Sequence, residues 1–291
     1  GSARPLLQTL EWQGQVAGIL GEAERTGDPR AIEAELLGAV FDPRRAGSLR
    51  EIVDRVQQLA VLVRDRTSND MGSVLRQIGE GLAPPCNGAR MLSSDAAGVL
   101  NQTLLGLAAF HGLARENMTR AQAWRFLDIG LRIERAVYLC TLLDATLRSP
   151  EPGDPSVLEA VLEVTDSTIT FRSRYTLLPH LAAVIDLVLL DDKNPRSVLF
   201  QINQLLKHFE HLPAERGAAA DSGRDILQGC LARLGGVDVR GLAGSAESPL
   251  AGGAGEGIRE TLRELPRLSD AIAANYFAHS SISRTGRNGV S

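Results

Sequence analysis

The feature that most constrains this chain is the period of its apolar residues. It stays near 3.6 along almost all of the 291 residues and nowhere settles into the alternation of a strand. The predicted fold is therefore all-α, an irregular multi-helix bundle of about ten helices. Aromatic residues make up only 4% of the chain against 44% hydrophobic overall, so Leu, Val, Ile and Ala must fill the interior. That bias suits helix packing better than sheet packing.

Periodicity and breakers predict helices over 4–25, 30–41, 48–66, 70–82, 93–117, 120–148, 156–175, 178–190, 195–212, 222–235 and 256–280. Ser48 is the expected cap of the third, whose apolar face is Leu49, Ile52, Val53, Val56, Leu59, Ala60 and Val63. The run Ser149-Pro150-Glu151-Pro152-Gly153-Asp154-Pro155 reads as a long inter-helix loop, and the glycine-rich stretch 244–257 as a mobile one. Pro266 is expected to kink or split the last helix. We expect a single domain over 3–280 and a disordered tail over 281–291. The chain starts abruptly inside a helical pattern, as a piece excised from a longer protein would.

A formal charge of −4 argues against a nucleic-acid binder, which normally carries a basic excess. Arginines far outnumber lysines, and arginine suits bidentate pairing with carboxylate or phosphate, so a local anion site is compatible with the acidic total. The three cysteines, Cys86, Cys140 and Cys230, are scattered and odd in number, which predicts a reducing, cytoplasmic setting rather than a disulfide framework. No apolar run has membrane-spanning length, so no membrane partner is expected.

Three charged clusters ask for an explanation. In Ile129-Gly130-Leu131-Arg132-Ile133-Glu134-Arg135-Ala136, apolar side chains cover most of the helix circumference, which predicts burial. Asp128, Arg132 and Arg135 share one side, with Asp128 and Arg132 spaced to pair. Glu134 lies apart, and a buried carboxylate there needs a cation from another helix. It reads as a register-fixing ion pair, as a ligand-facing group or as a surface residue. In Phe171-Arg172-Ser173-Arg174-Tyr175 the two arginines point in different directions, so Arg172 and Arg174 cannot both serve one carboxylate; one is free to pair inward while the other meets solvent.

The third cluster runs from Asp186 to Ser197. Asn194 is the expected N-cap and Pro195 the first helical residue. Asp191 and Asp192 then close a helix whose C-terminus repels anions, and Arg196 sits in a first turn that repels cations. An Asp–Arg clasp across the turn explains both, as does an anion held by Arg196 and first-turn amides. Metal chemistry is not expected: Asp191-Asp192 lacks the third aspartate of a magnesium motif, and His208 and His211 read as two solvated histidines. The glycines of 252–257 lack the strand and the Lys-Ser/Thr of a phosphate loop.

Trp124-Arg125-Phe126-Leu127-Asp128-Ile129-Gly130 leading to Ile133-Glu134-Arg135-Ala136, with Leu142-Leu143-Asp144 after it, resembles the alpha-E family, a bacterial all-helical domain named for a Glu-Arg motif. The likeness extends to Val63-Arg64-Asp65-Arg66 with Ser68, to Arg172-Ser173-Arg174-Tyr175, to Asp191 through Ser197 and to Tyr276-Phe277. The family's opening helix, with its own earlier Glu-Arg motif, has no counterpart here and is expected to be missing; Met71 stands where the family often has Trp. The resemblance implies a setting rather than a reaction: such domains accompany circularly permuted ATP-grasp proteins, with an inferred role in ATP-dependent amide-bond formation. It carries over Arg132, Glu134, Arg135, Arg172, Arg174, Asp191, Asn194, Arg196 and Ser197.

The leading expectation is an accessory binding domain of an ATP-grasp amidoligase system, holding the ligase, a peptide or an acyl-phosphate through Arg and carboxylate groups. No cofactor is expected in the domain itself; ATP and magnesium would belong to the ATP-grasp partner. The alternatives are a purely structural helical module and an independent enzyme on a phosphorylated substrate.

Overall fold

The computed structural model describes residues 29–83, 92–149, 151–175, 178–213, 223–239 and 253–277. Among them are eleven α-helices, two π-helical segments and no strand. The expected helix over 4–25, most of the 244–257 loop and the 281–291 tail lie outside the described residues. The chain divides into two compact units, one ending at Arg125 and one beginning at Phe126.

The first unit contains α1 (Pro29–Phe41), α2 (Leu49–Leu62), α3 (Asn69–Gly81) and α4 (Ser93–Asn117). Ser48 and Ser68 cap α2 and α3 by accepting from the Glu51 and Met71 amides, interactions worth about 1 kcal/mol each. One core cluster is Val53, Ile78 and Leu82, with Val40, Phe41, Val74, Val99 and Leu107 around them, and Met71 and Leu75 on α3 are also buried. Close approach of α3 to α4 depends on Gly106, where an added Cβ would come within 2.8 Å of Ile78.

The expected apolar face of α2 is not the buried one. Of it, only Val53 is buried, while Ile52, Val56, Leu59 and Val63 are exposed. Polar contacts turn the helix: Arg50 donates to the Gly79 carbonyl and Gln57 to the Leu75 carbonyl, both on α3. The stripe Arg50, Val53, Gln57 faces α3 in place of the apolar one.

The second unit begins within α5 (Gln122–Arg148) and continues through α6 (Pro155–Val164), α7 (Thr168–Arg174) and α8 (Leu181–Ile185). The chain runs on from α8 as a π-helical segment, Asp186–Leu190, then α9 (Val198–Phe209), α10 (Gly223–Gly235) and α11 (Gly253–Ile272), ending in a second π-helical segment, Ala273–Phe277. Its core is far larger, with Leu142, Leu143, Leu158, Ile185, Leu187, Leu189, Ile202 and Leu268 all inaccessible or nearly so. α11 passes through Pro266 unbroken, neither split nor ended.

Three boundaries differ from expectation for identifiable reasons. The helix expected over 156–175 is two helices, because Asp166 adopts a left-handed φ of 51° between them. The Ser167 amide bonds to the Leu162 carbonyl and the Asp166 amide to the Glu163 carbonyl, which is a Schellman C-terminus. The helix expected over 178–190 widens into π-turns after Ile185. The helix expected to start at Pro195 starts at Val198, capped by Ser197 on the Phe200 amide. Asn194 instead accepts from the Arg196 amide at 3.0 Å and forms a turn before the helix.

Candidate functional site

The charged side of α5 meets α9 and the loop before it. Asp128 Oδ2 receives Arg132 Nε at 2.6 Å and lies 2.5 Å from His208 Nε2. Arg132 Nη1 also donates to Gln201 Oε1 at 3.2 Å, and its guanidinium stands 5.8 Å from the centre of the Phe200 ring. Gln201, fully buried, donates to the Pro195 carbonyl at 2.7 Å and to the Ser197 carbonyl at 3.2 Å. One chain of bonds thus ties Arg132 on α5 to the backbone on both sides of Arg196. Burial alone would raise the Asp128 carboxyl, but hydrogen bonds and charge from His208 and Arg132 outweigh it and hold the group below the usual carboxylate range.

Arg135, three residues beyond Arg132 on α5, faces the same cluster. It is half-buried, and its side chain makes no ion pair or hydrogen bond among the described residues. Desolvation lowers its affinity for its proton, and repulsion from Arg196 and Arg132 adds to that, opposed only by Asp128. A guanidinium stays charged under such a shift. Three guanidiniums therefore share a region where Asp128 is already engaged twice.

Arg196 reaches across to Asp166, with Nη2 3.0 Å from Oδ2. Asp166 is 76% exposed at its side chain and Arg196 44%, so the pair is a surface one, worth at most about 1 kcal/mol. Holding a non-glycine residue in the left-handed region costs roughly 1 kcal/mol, somewhat less for Asp. The ion pair and the strain are comparable, and a glycine or asparagine at this C-terminus would avoid the strain. A carboxylate at position 166 therefore has no clear advantage for folding.

The remaining expected residues fall as follows. Arg174 pairs with Asp191 at 2.5 Å, while Arg172 is exposed and has no partner among the described residues; one arginine turns inward and its neighbour outward. Asp191 Oδ1 also accepts from the Lys193 amide, and the Asp191 carbonyl accepts from Ser197 Oγ at 2.5 Å. The clasp across the turn does not form: Asp191 and Arg196 each take a different partner, and Asp192 is exposed without one among the described residues. Arg196 lies before the helix rather than in its first turn. Asn194 is buried and donates to the Leu187 carbonyl at 3.0 Å, so both ends of its amide serve the loop.

Glu134 is a correction. It is exposed, and no cation approaches it among the described residues. The face of α5 that carries Gly130, Glu134 and Tyr138 is open, and its apolar neighbours had implied burial that does not occur. His208 is a second correction: it is 7% exposed and bound to Asp128, not solvated. Its burial was readable from Gln201 and His208, which lie on the same stripe as Val198, Leu205 and Phe209 and so required partners. Asp166 drew no attention in the sequence, although Thr165-Asp166-Ser167 interrupts an apolar run.

Cys140 and Cys230 are buried, and desolvation pushes Cys140 well up and Cys230 up to about 11, so neither is a thiolate near neutral pH. Among the described residues no group of three His, Cys, Asp or Glu side chains could hold a metal ion. None of them forms a helix long and apolar enough to cross a membrane. An open pocket of about 610 Å³ is lined by Tyr175, His180, Asp186 and Asp238 among others, and no arginine of the cluster lines it. There the Tyr175 hydroxyl donates to Asp186 at 2.6 Å, and burial together with that bond pushes the phenol up to about 12.

Fold and site together define a class: an all-helical domain with an arginine–carboxylate centre. The chain belongs to the Alpha-E family, described as a predicted alpha-helical domain with a conserved ER motif, whose model it matches over residues 1–277. It is also similar to uncharacterized protein Rv2567 of Mycobacterium tuberculosis H37Rv, at 34% identity over 206 residues, covering 68% of this chain and 23% of that protein. Uncharacterized protein Mb2597 of Mycobacterium bovis matches to the same extent. The chain thus spans about a quarter of the length of these relatives. No solved structure matches it.

Proposed function

We propose that this chain is an accessory binding domain of an ATP-grasp amidoligase system, holding an anionic group of the ligase or of its peptide or acyl-phosphate substrate at the arginine centre. The observation that carries this reading is Arg135, a half-buried cation beside Arg132 and Arg196 that makes no ion pair or hydrogen bond among the described residues and is balanced only by the charge of Asp128, which Arg132 and His208 already engage. Arginine is suited to such ligands because its planar fork matches two oxygens of a carboxylate or phosphate. Relatives about four times as long as the aligned segment fit a domain that works beside other parts. ATP and magnesium would then be bound by the ATP-grasp component, and this chain would contribute binding and orientation.

Part of the centre favours the architectural reading. Asp128, Arg132, His208 and Gln201 largely satisfy one another and tie α5 to α9, as a register-setting network would. The two readings assign different residues, so they coexist: the buried network positions, and Arg135 with Arg196 binds. Co-purification of the tagged chain from its native host, followed by measurement of ATP-dependent amide formation in the eluate, tests the proposal. Arg196→Ala and Arg135→Gln should lower ligase output or binding more than thermal stability. An eluate without an ATP-grasp protein, or equal loss of output and stability, would overturn it.

A further inference from the structure

We propose that Arg132, Arg135 and Arg196 form a site for a single oxyanion, a carboxylate or a phosphate, and that Asp166 is an internal stand-in for that ligand, displaced from Arg196 when the oxyanion enters. The proposal rests on reading the arginine cluster as an anion site, but it needs no ligase partner. Arg132 is fixed by Asp128 and Gln201, so it contributes charge from a set position. Arg135 makes no side-chain bond among the described residues. Arg196 is held through its backbone by Asn194, while among the described residues its guanidinium is held only by the Asp166 carboxylate.

The count of charges leaves room for one more anion. Among the described residues, Arg132 and His208 share Asp128, Arg196 pairs with Asp166, and Arg135 has no ion pair of its own. Asp166 is the replaceable member of this set. It is exposed, contacts Arg196 through one oxygen at 3.0 Å, and stands on the turn between α6 and α7 in a left-handed conformation that Gly or Asn would adopt with less strain. A carboxylate joined to its arginine by one exposed contact can be displaced at little cost to folding. It neutralises Arg196 until a ligand oxygen takes over. The stand-in makes the empty site less attractive to stray anions and lets an oxyanion bridging Arg135 and Arg196 exchange one exposed contact for two.

The test is titration of the isolated chain with inorganic phosphate and, separately, with sodium acetate at constant ionic strength, read from the arginine Nε–Hε resonances. Removal of the competing surface pair in Asp166→Asn should tighten binding of the preferred anion about two- to five-fold. Asn tolerates the left-handed turn, so the variant should fold, and its melting curve checks that it does. Asp270→Asn, an exposed change of equal charge on α11, should leave affinity unchanged. Arg135→Gln should weaken binding about ten-fold or more. Which titrant saturates decides between a phosphate and a carboxylate ligand. If the wild-type chain takes up neither anion, the anion site itself is refuted. If it binds but Asp166→Asn binds no tighter, or Asp270→Asn tightens as much, the stand-in is refuted while the anion site survives.

Discussion

At Asp128 two donors converge on one carboxylate oxygen within the helix packing, whereas at Asp166 one guanidinium meets a carboxylate that is 76% exposed. Both pairs involve the same cluster of arginines, yet they serve different ends. The buried pair joins α5 to α9, and its carboxyl is held below the usual range by the groups around it. The exposed pair joins a strained turn to a loop and stabilises little. An ion pair is therefore informative about function where it is weak, since a weak pair is the one a ligand can replace.

The largest expected effect tests the buried end of that contrast. Asp128→Ala strands Arg132 and His208 together and should cost about 3 kcal/mol in denaturant unfolding; a loss no larger than that of a surface pair would erase the distinction. The same carboxylate predicts a pH dependence. Its folded pKa is depressed, so the stabilisation it gives is complete above its unfolded value of about 3.9 and disappears as pH falls through the folded value. Asp128→Asn should flatten this acid limb of the stability profile, and an unchanged limb would assign acid unfolding to other carboxylates.

Next in size is Gln201→Ala, which deprives Arg132 of one partner and the Pro195 and Ser197 carbonyls of a donor. It should cost about 2 kcal/mol by thermal melting. The smallest effect has the opposite sign. Asp166→Gly relieves the left-handed strain while removing only a surface pair, and should raise stability by roughly 0.5 kcal/mol. A clear loss would mean that the Arg196 pair matters to folding and that the two ends of the comparison are alike.

Much of this architecture is legible in the sequence, but unevenly. The helix over 93–117 lies where the sequence placed it, because a long run rich in Leu and Ala between breakers leaves little choice. The Asp128–Arg132 pair is equally local, being a matter of helical spacing. What periodicity cannot convey is competition between equally good local solutions. Asn194 and Ser197 both cap helices well, and the choice falls to Ser197 because the Asn194 amide is drawn inward to the Leu187 carbonyl. Nor does a helical wheel say which side faces the core. The apolar side of α2 lost to Arg50 and Gln57, and the Glu134 side of α5 is open. The pairings that make the candidate site, His208 with Asp128 and Arg196 with Asp166, join residues 80 and 30 positions apart and exist only once the helices are packed.

Arg132 serves both the buried network and the anion site, whereas Arg135 serves binding alone. This division is tested most directly by Arg135→Gln, measured once by thermal melting and once by anion titration. The account predicts a melting temperature within a degree or two of wild type, since no partner is lost, together with loss of anion binding. A variant that melts several degrees lower yet still takes up the anion would contradict it.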